Sequence, residues 1–328
     1  MRAMIGYARH SIEADDIDAV VSVLKSDRLT QGEKVPEFEA ALCAYTGAKY
    51  AVAVSSGTAA LWCAWREISM SQDLVSLPAV TFVATANAAR AAGLRVGVTD
   101  IDPETWIGGI EGRVTLGGMP DSRLTFVTDA AHGPWTHSSV MTCLSFHPAK
   151  HITTGEGGAV LTDDPEIARA LRRFRDNGRE TAAELPQIVG LNLRMSDMAA
   201  ALGISQLRKL DGWLARRRQI AKAYREAFAP LGVVMQPDHE THWYHLMILW
   251  LDPKRWNRDR VREKLHERGV GTQIHYTPLY RLPAYAADPA RYPNAERYWA
   301  GCMSIPMSHA LTDGEVEHVS RSVRDVLA

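Results

Sequence analysis

The chain has 328 residues, of which 46% are hydrophobic, and its formal net charge is −1. This length and composition suit a large domain with a buried core plus a smaller domain, and the near-zero charge excludes a global field that would recruit nucleic acid or an anionic membrane. No apolar run approaches the roughly 20 residues that span a bilayer, and the first residues lack the long apolar segment of a signal peptide, so we expect a cytoplasmic protein.

Short apolar runs alternate with helical patterns over the first hundred residues. Amphipathic spacing predicts helices over residues 11–24 and 35–45. Strands are predicted over residues 51–54, 73–77 and 95–99. This alternation is typical of a mostly parallel sheet covered by helices on both faces, in which ligands bind beyond the carboxyl ends of the strands.

The first predicted strand leads into a Ser-Ser-Gly-Thr turn and a helix that should run to about residue 68. Free N–H groups and the helix dipole make such a turn a site for phosphate. Gly57, Thr58 and Ala59 are therefore candidate phosphate ligands, together with Ser145 at the end of a later strand. The alternative is an ordinary Ser/Thr helix cap, which contributes about 1 kcal/mol and needs no ligand.

A second candidate group follows the run Thr-Phe-Val-Thr at residues 125–128. Asp129 ends this predicted strand, and His132 comes three residues later. The carboxylate could pair with a cationic ring nitrogen, or it could simply cap the next turn.

Lys150 lies between two apolar runs and is followed by a Thr-Thr-Gly-Glu-Gly-Gly turn. Burial lowers the pKa of a lysine and favours the neutral amine, which can attack an aldehyde. Taken alone, Lys150 would more often be a solvated lysine. His147 and His151 are four residues apart, but the glycine-rich turn and the lack of a nearby acid or cysteine cluster argue against a metal site, and we predict no metal. His147 is a candidate catalytic residue beside Lys150.

A phosphate cradle, a strand-end acid and an imine-forming lysine together fit pyridoxal 5'-phosphate. Asp129 would pair with the pyridinium nitrogen, and Lys150 would hold the aldehyde as an internal aldimine. Lys150 would also act as the base for the 1,3-proton shift once substrate frees its amine.

These stretches, in this order, resemble the DegT/DnrJ/StrS family of sugar aminotransferases, and the resemblance covers nearly the whole chain. Further similar stretches lie at residues 29–39, 78–87, 100–102, 190–203 and 275–279. Residues 7–32 look most like the branch that acts on UDP-4-amino-4,6-dideoxy-N-acetyl-altrosamine in pseudaminic acid biosynthesis.

The resemblance implies the type I fold of transferases that depend on pyridoxal 5'-phosphate (PLP). This fold would have a large cofactor-binding domain at residues 1–211 and a small α/β domain at 212–328. The resemblance also implies a homodimer with active sites at the interface. Further roles follow from it: Phe82 stacks on the cofactor ring, His132 lies beside the phenolic oxygen, and Asn192 and Arg194 belong to a loop that completes the partner's phosphate site. Candidate sugar-nucleotide contacts are Tyr7, Thr30, His275 and Tyr276.

The chain departs from the family by being shorter between residues 102 and 129 and between 129 and 145. We predict that a helix is lost after residue 117 while both flanking strands remain, since a buried sheet cannot lose a strand cheaply.

The C-terminal half is predicted to start with helices over residues 163–175 and 196–210, the second continuing past residue 212 as the link between domains. Beyond it, strands are predicted at 245–251 and 271–275. Helices are predicted at 259–268 and 313–327.

The function implied is a ping-pong aminotransferase. L-glutamate would convert the cofactor to pyridoxamine 5'-phosphate, which would aminate the C4 ketone of a nucleotide-activated 4-keto-6-deoxyhexose; we expect this sugar to be UDP-linked and N-acetylated. Three alternatives remain: a C3 aminotransferase, a sugar 3-dehydratase (against which Lys150 speaks, because that branch has His there), and a cofactor-binding regulator without turnover.

Overall fold

The computed structural model describes residues 4–120, 125–135, 139–181 and 183–328. The α-helices in these ranges are α1 Ala14–Leu24, α2 Lys34–Thr46, α3 Gly57–Ile68, α4 Val83–Ala91, α5 Pro165–Arg175, α6 Asp197–Leu207, α7 Leu210–Phe228, α8 Arg258–Glu267, α9 Pro293–Gly301 and α10 Asp313–Leu327. The strands are β1 Tyr50–Val54, β2 Leu74–Pro78, β3 Arg95–Thr99, β4 Gly112–Val114, β5 Val127–Asp129, β6 Met141–Ser145, β7 Gly158–Thr162, β8 Val234–Met235, β9 Met247–Trp250 and β10 Cys302–Ile305.

The central sheet has the strand order β1-β7-β6-β5-β4. Strand β7 runs antiparallel to both of its neighbours, while β4, β5 and β6 are parallel to one another. Strands β2 and β3 form a separate parallel pair. The sheet is therefore mostly parallel, as predicted, with one reversed strand.

Helices cover both faces of this sheet. On one face, α3 buries Leu61 and Trp65 against the strands. On the other face, Phe38 of α2 packs on Phe146, with ring centroids 5.2 Å apart. Strands β6 and β7 are buried along their whole length, and accordingly neither sequence contains a charged residue.

A second sheet, β10-β9-β8, forms the C-terminal part with α7, α8 and α10. The predicted strand at 271–275 is wrong: this segment makes only an isolated bridge between Gln273 and Ser304. Strand β10, which was not predicted, takes the place beside β9. The predicted long helix from residue 196 is interrupted at Arg208 and Lys209, and the predicted domain boundary at 211/212 falls inside α7; that boundary stays a prediction.

The shortened region keeps its two parallel strands, β4 and β5. A three-residue 3-10 turn, Leu116–Gly118, follows β4, and no α-helix occurs within the described residues 112–120. The predicted survival of the strands is confirmed. The loss of the helix is confirmed up to residue 120, since residues 121–124 lie outside the described ranges. Within those ranges, the helices are either too short or too polar to cross a bilayer.

Candidate active site

A cavity of about 370 Å³ opens at the carboxyl ends of β1, β5 and β6, where ligands of parallel sheets bind. Eleven of the residues predicted for the site lie on its wall. They are Tyr7, Gly57, Thr58, Phe82, Asp129, His132, Ser145, His147, Lys150, His275 and Tyr276. The wall does not include four others: Thr30, Ala59, Asn192 and Arg194.

The N-terminus of α3 forms one end of the cavity. Ser56 caps the helix by accepting the N–H of Ala59 at 3.1 Å, so that N–H is already used. The N–H groups of Gly57 and Thr58 have no acceptor within the helix. A Cβ on Gly57 would lie 2.7 Å from the Cβ of Ser145, so only glycine lets α3 approach β6 this closely. The backbone and hydroxyl donors here can hold an anion.

Asp129 is a buried acid on the wall of the same cavity. Its Oδ2 accepts the hydroxyl of Thr85 at 2.7 Å, and its Oδ1 accepts the N–H of Ala131 at 3.1 Å. Burial raises the pKa of this carboxyl, and the bond from Thr85 and the charge of Lys150 oppose the rise. Within the part of the chain that the structure describes, no cation is bonded to this buried carboxylate, and a protonated ring nitrogen would supply the missing positive charge.

Lys150 lies in a turn after β6 and is only partly exposed, toward the cavity. Its backbone N–H donates to the carbonyl of His147 at 2.8 Å. Burial lowers the pKa of Lys150 to about 8, although the charge of Asp129 opposes the shift. The lowered pKa raises the neutral fraction of Lys150 near neutral pH far above that of a solvated lysine, and the neutral amine is the form that attacks an aldehyde.

His147 lies exposed at the mouth of the cavity. Its Nδ1 accepts the N–H of Ala149 at 3.2 Å, which fixes the ring on the turn that carries Lys150. Phe82 lies on the same wall, and 55% of its surface is exposed, so a ring face is available for stacking.

His132 and Tyr276 join the N-terminal and C-terminal halves inside the cavity. Tyr276 Oη lies 3.0 Å from His132 Nε2, and its ring is 5.6 Å from that of Phe82. Burial lowers the pKa of His132 well below its ordinary value, and the nearby charge of Lys150 adds to the shift. His132 is therefore neutral near pH 7.

Tyr7 and His275 lie next to each other on the wall, with ring centroids 5.2 Å apart. His275 Nδ1 lies 2.9 Å from Ser304 Oγ, and burial lowers the pKa of the imidazole to about 4. Thr30 is exposed in the loop before α2 and lies away from this wall.

Asn192 and Arg194 lie in the segment before α6. Arg194 forms a bridge with Val54 and an ion pair with Asp176, and Asn192 also bridges to Asp176. Neither residue reaches the cavity of its own chain.

Sequence reasoning missed Thr85 and His245, which both belong to this site. Thr85 lies in α4, 44 residues before Asp129, and no local pattern links the two. His245 lines the cavity and stacks on His132, with ring centroids 4.2 Å apart. It lies at the start of an apolar run that predicts only a strand.

The residues present fit pyridoxal 5'-phosphate. A Cβ at position 57 would clash with Ser145 beside the N-terminus of α3, no described cation is bonded to the buried Asp129, and the lysine with a lowered pKa lies on the same wall. The described residues contain no cluster of three or more His, Cys, Asp or Glu suited to a metal ion.

Comparisons with known proteins give a family and close structural neighbours. The model of the DegT/DnrJ/EryC1/StrS aminotransferase family matches residues 10–110 and 121–324. The UDP-4-amino-4,6-dideoxy-N-acetyl-beta-L-altrosamine transaminase of Campylobacter jejuni is 31% identical, covering 99% of this chain and 98% of the relative. Helicobacter pylori PseC, an aminotransferase involved in the biosynthesis of pseudoaminic acid, is 26% identical, with a TM-score of 0.92 and 99% of each chain covered. A putative sugar aminotransferase of Streptococcus pneumoniae in its PLP form, 24% identical, has the same fold, with a TM-score of 0.92 and 99% and 98% of the two chains covered.

Two of these comparisons bear on the shortened region. The family match is interrupted at residues 111–120, the stretch that holds β4 and the 3-10 turn. The alignment with the Campylobacter relative runs over 369 positions, more than the 328 residues of this chain. The relative therefore has residues for which this chain has no counterpart, as expected from the sequence.

Proposed function

Because this chain belongs to the DegT/DnrJ/EryC1/StrS aminotransferase family, a family of PLP-dependent enzymes, we propose that it moves an amino group from L-glutamate to the C4 ketone of a nucleotide-activated 4-keto-6-deoxyhexose. The name of the Campylobacter relative supports a UDP-linked, N-acetylated sugar and the C4 position. The likeness to Helicobacter pylori PseC, an aminotransferase of that pathway, supports a place in the biosynthesis of pseudaminic acid.

The proposed cofactor contacts follow from the cavity wall. Gly57 and Thr58 would hold the phosphate with their N–H groups and the Thr58 hydroxyl, and Ser145 would add a second hydroxyl. Asp129 would pair with the ring nitrogen, and Phe82 would cover one ring face.

Pyridoxal 5'-phosphate, when bound, supplies an aldehyde that takes up amines and a pyridinium ring that accepts the electron pair left when a C–H bond breaks. Lys150 would supply the amine that holds the cofactor, and its Nζ, once free, would take the proton from the amino donor's carbon and give it up again to complete the 1,3-proton shift. Asp129 would keep the ring nitrogen protonated, and the hydrogen bond from Thr85 holds the carboxylate in place. His147, on the same turn as Lys150, orients substrate at the mouth.

We also propose a homodimer in which Asn192 and Arg194 complete the partner's phosphate site. Of the described residues on the cavity wall, Lys150 is the only lysine or arginine, so one chain alone offers little positive charge to a dianionic phosphate. A cation from a second chain would balance that charge. Tyr7, His275 and Tyr276 are left as the sugar-facing residues of the wall.

The observation that carries the proposal is the placement of Lys150, Asp129 and the α3 N-terminus around one cavity. The test is a coupled assay that follows 2-oxoglutarate from L-glutamate with a UDP-linked N-acetylated 4-keto-6-deoxyhexose as acceptor. Production of 2-oxoglutarate with this acceptor, its absence in Lys150→Ala, and a 4-amino product by NMR are expected. A 3-amino product would overturn the regiochemistry, and no turnover with any keto-sugar would overturn the enzymatic reaction.

A further inference from the structure

Three distant segments meet backbone to backbone beneath His132. The carbonyl of Gly118 accepts the N–H of Trp243 at 2.9 Å, and the carbonyl of Gly117 accepts the N–H of Leu246 at 3.2 Å. Gly118 has a φ of +92°, and a Cβ there would lie 2.9 Å from the carbonyl oxygen of His132 and 3.0 Å from the amide nitrogen of His245. A side chain at position 118 would therefore displace a segment that carries one of these histidines.

The Gly117–Gly118 turn also fixes the protonation pattern of His132. The N–H of Gly117 donates to His132 Nδ1 at 3.2 Å, so Nδ1 acts as an acceptor. In a neutral imidazole the proton then lies on Nε2, which faces Tyr276 Oη at 3.0 Å. This tautomer is assigned from the hydrogen bonds.

His245 holds the ring of His132 from the side. The two imidazoles are stacked, with centroids 4.2 Å apart and planes inclined by 29°. His245 is 5% exposed, and within the described residues its Nδ1 has no hydrogen-bond partner. Its backbone is fixed by Arg217, whose guanidinium donates to the carbonyls of Tyr244 and His245 at 3.1 and 3.4 Å. The ring is therefore held by stacking and by its backbone, and no bond from Nδ1 contributes.

We propose that His245 is a positioning residue whose stacked ring, together with the Gly117–Gly118 turn, holds His132 as the Nε2–H tautomer and directs the hydroxyl hydrogen of Tyr276 into the cavity. Because Tyr276 Oη accepts from His132, its own hydrogen must be donated elsewhere, and Tyr276 lines the cavity.

The proposed hydrogen-bond chain gives the site a neutral donor. Burial raises the pKa of Tyr276, so the hydroxyl keeps its hydrogen near neutral pH. An oxygen atom of the bound cofactor or substrate is the class of acceptor that it fits, and this part alone rests on the proposed function. The turn lies in the stretch that the family model does not match, so the device is tied to the shortened region of this chain.

The test is nitrogen-15 NMR of the histidine rings in the full chain purified without cofactor. Failure of pyridoxal phosphate to bind would therefore not affect it. His132 is assigned by the signals missing in His132→Gln. We expect two well-separated ring-nitrogen signals with the hydrogen on Nε2; a hydrogen on Nδ1, or a charged ring at neutral pH, would overturn the proposal.

Variants then test His245 and the turn. His245→Ala should merge the two His132 signals by tautomer exchange, while His245→Phe, which can still stack, should keep them apart. Gly118→Ala should also merge them. Its control is Gly93→Ala, at a φ of +91° with nothing within 4 Å of the added Cβ, which should leave them unchanged.

If the two His132 ring-nitrogen signals stay separate in His245→Ala, or merge equally in His245→Phe and His245→Ala, His245 does not act through stacking. If these signals merge equally in Gly118→Ala and Gly93→Ala, the Gly117–Gly118 turn has no specific role. Thermal unfolding is recorded for every variant. If His245→Ala does not fold, the wild-type tautomer and the comparison of His245→Phe with wild type decide the matter.

Discussion

At the scale of single residues, Lys150 and Asp129 have opposite pKa shifts with one cause. Burial lowers the pKa of the lysine to about 8 and raises that of the carboxyl. Each shift shows that burial disfavours the charged form. The two groups therefore lower the stability of the folded protein until a ligand supplies the opposite charges. This is the cost that a functional site imposes on stability.

Lys150→Met should stabilise the cofactor-free protein near pH 7. The pKa of Lys150 is about 8 in the folded state against 10.5 when unperturbed. Below pH 8, Lys150 is protonated in both the folded and the unfolded protein, and its buried charge destabilises the folded state by up to about 3 kcal/mol. This destabilisation becomes smaller as the pH rises from about 8 toward 10.5, because the folded state then releases the proton. In urea unfolding, the free energy of unfolding of Lys150→Met should therefore exceed that of the wild type at pH 7, and the difference should be smaller at pH 10.

The control is Lys222→Met on the exposed side of α7, which should change the free energy of unfolding little at either pH. If Lys150→Met is no more stable than the wild type at pH 7, or is equally stabilised at both pH values, the buried charge of Lys150 does not destabilise the folded protein.

The sequence allowed some of these residues to be predicted and not others. Lys150, Asp129 and Gly57 each lie at a junction of an apolar strand and a polar turn, which is visible in the printed residues. Thr85 and His245 contribute through contacts across the fold, and nothing near them in sequence marks them. Ala59 was predicted as a phosphate ligand, but its N–H is bonded to Ser56.

At the scale of elements, the position of α3 against β6 is what makes the anion cradle. Gly57 allows the contact, and Ser56 caps the helix without blocking the first two N–H groups. The cradle therefore depends on close packing as well as on the helix dipole.

Gly57→Ala should weaken the binding of pyridoxal 5'-phosphate by about tenfold or more, equivalent to about 1.4 kcal/mol, because the new Cβ lies 2.7 Å from Ser145 Cβ and moves the N-terminus of α3. Pyridoxal, which lacks the phosphate, should lose less affinity. The dissociation constants are measured by titrating cofactor-free protein and following absorbance.

Gly314→Ala, in the first turn of α10 with nothing within 4 Å of the new Cβ, is the matched control and should bind both ligands normally. If Gly57→Ala binds the phosphate ester as tightly as wild type, the cradle lies elsewhere.

Elements with strong periodicity were predicted well, and those set by tertiary contacts were not. Helix α10 begins with a capping box at Thr312 and Glu315 and has a clear apolar face. Strand β10 directly follows α9 and exists because β9 offers it an edge. Residues 271–275 contain one aliphatic side chain, Ile274, and among the described residues their only β-bridge is that between Gln273 and Ser304.

At the scale of the whole molecule, large apolar side chains are exposed on and beside α1. Ile17 is 55% exposed and Leu24 is 54% exposed, and Leu29 follows in the next loop. A surface of this kind is typical of an interface, and we propose that a second copy of the chain covers it.

Mixing two inactive variants should restore activity if Arg194 completes the partner's site. In a heterodimer of Lys150→Ala and Arg194→Ala chains, one of the two sites has both residues. Random reassembly should therefore give roughly a quarter of the wild-type activity, whereas each variant alone should be nearly inactive. The measurement is the coupled glutamate assay after unfolding and refolding the mixture.

The control is a mixture of Lys150→Ala with Asp129→Ala, two residues on the same cavity wall, which should stay inactive. No recovery in the first mixture, or recovery in both, would contradict a site shared between chains.

The role of Lys150 is tested most directly by identifying the residue to which the cofactor becomes attached. The protein is incubated with pyridoxal 5'-phosphate, reduced with borohydride, digested and analysed by mass spectrometry. We expect the cofactor on the peptide that contains Lys150 and on no other, and its loss in Lys150→Arg. Attachment to a different lysine, or no attachment at all, would contradict the proposal that Lys150 holds the cofactor.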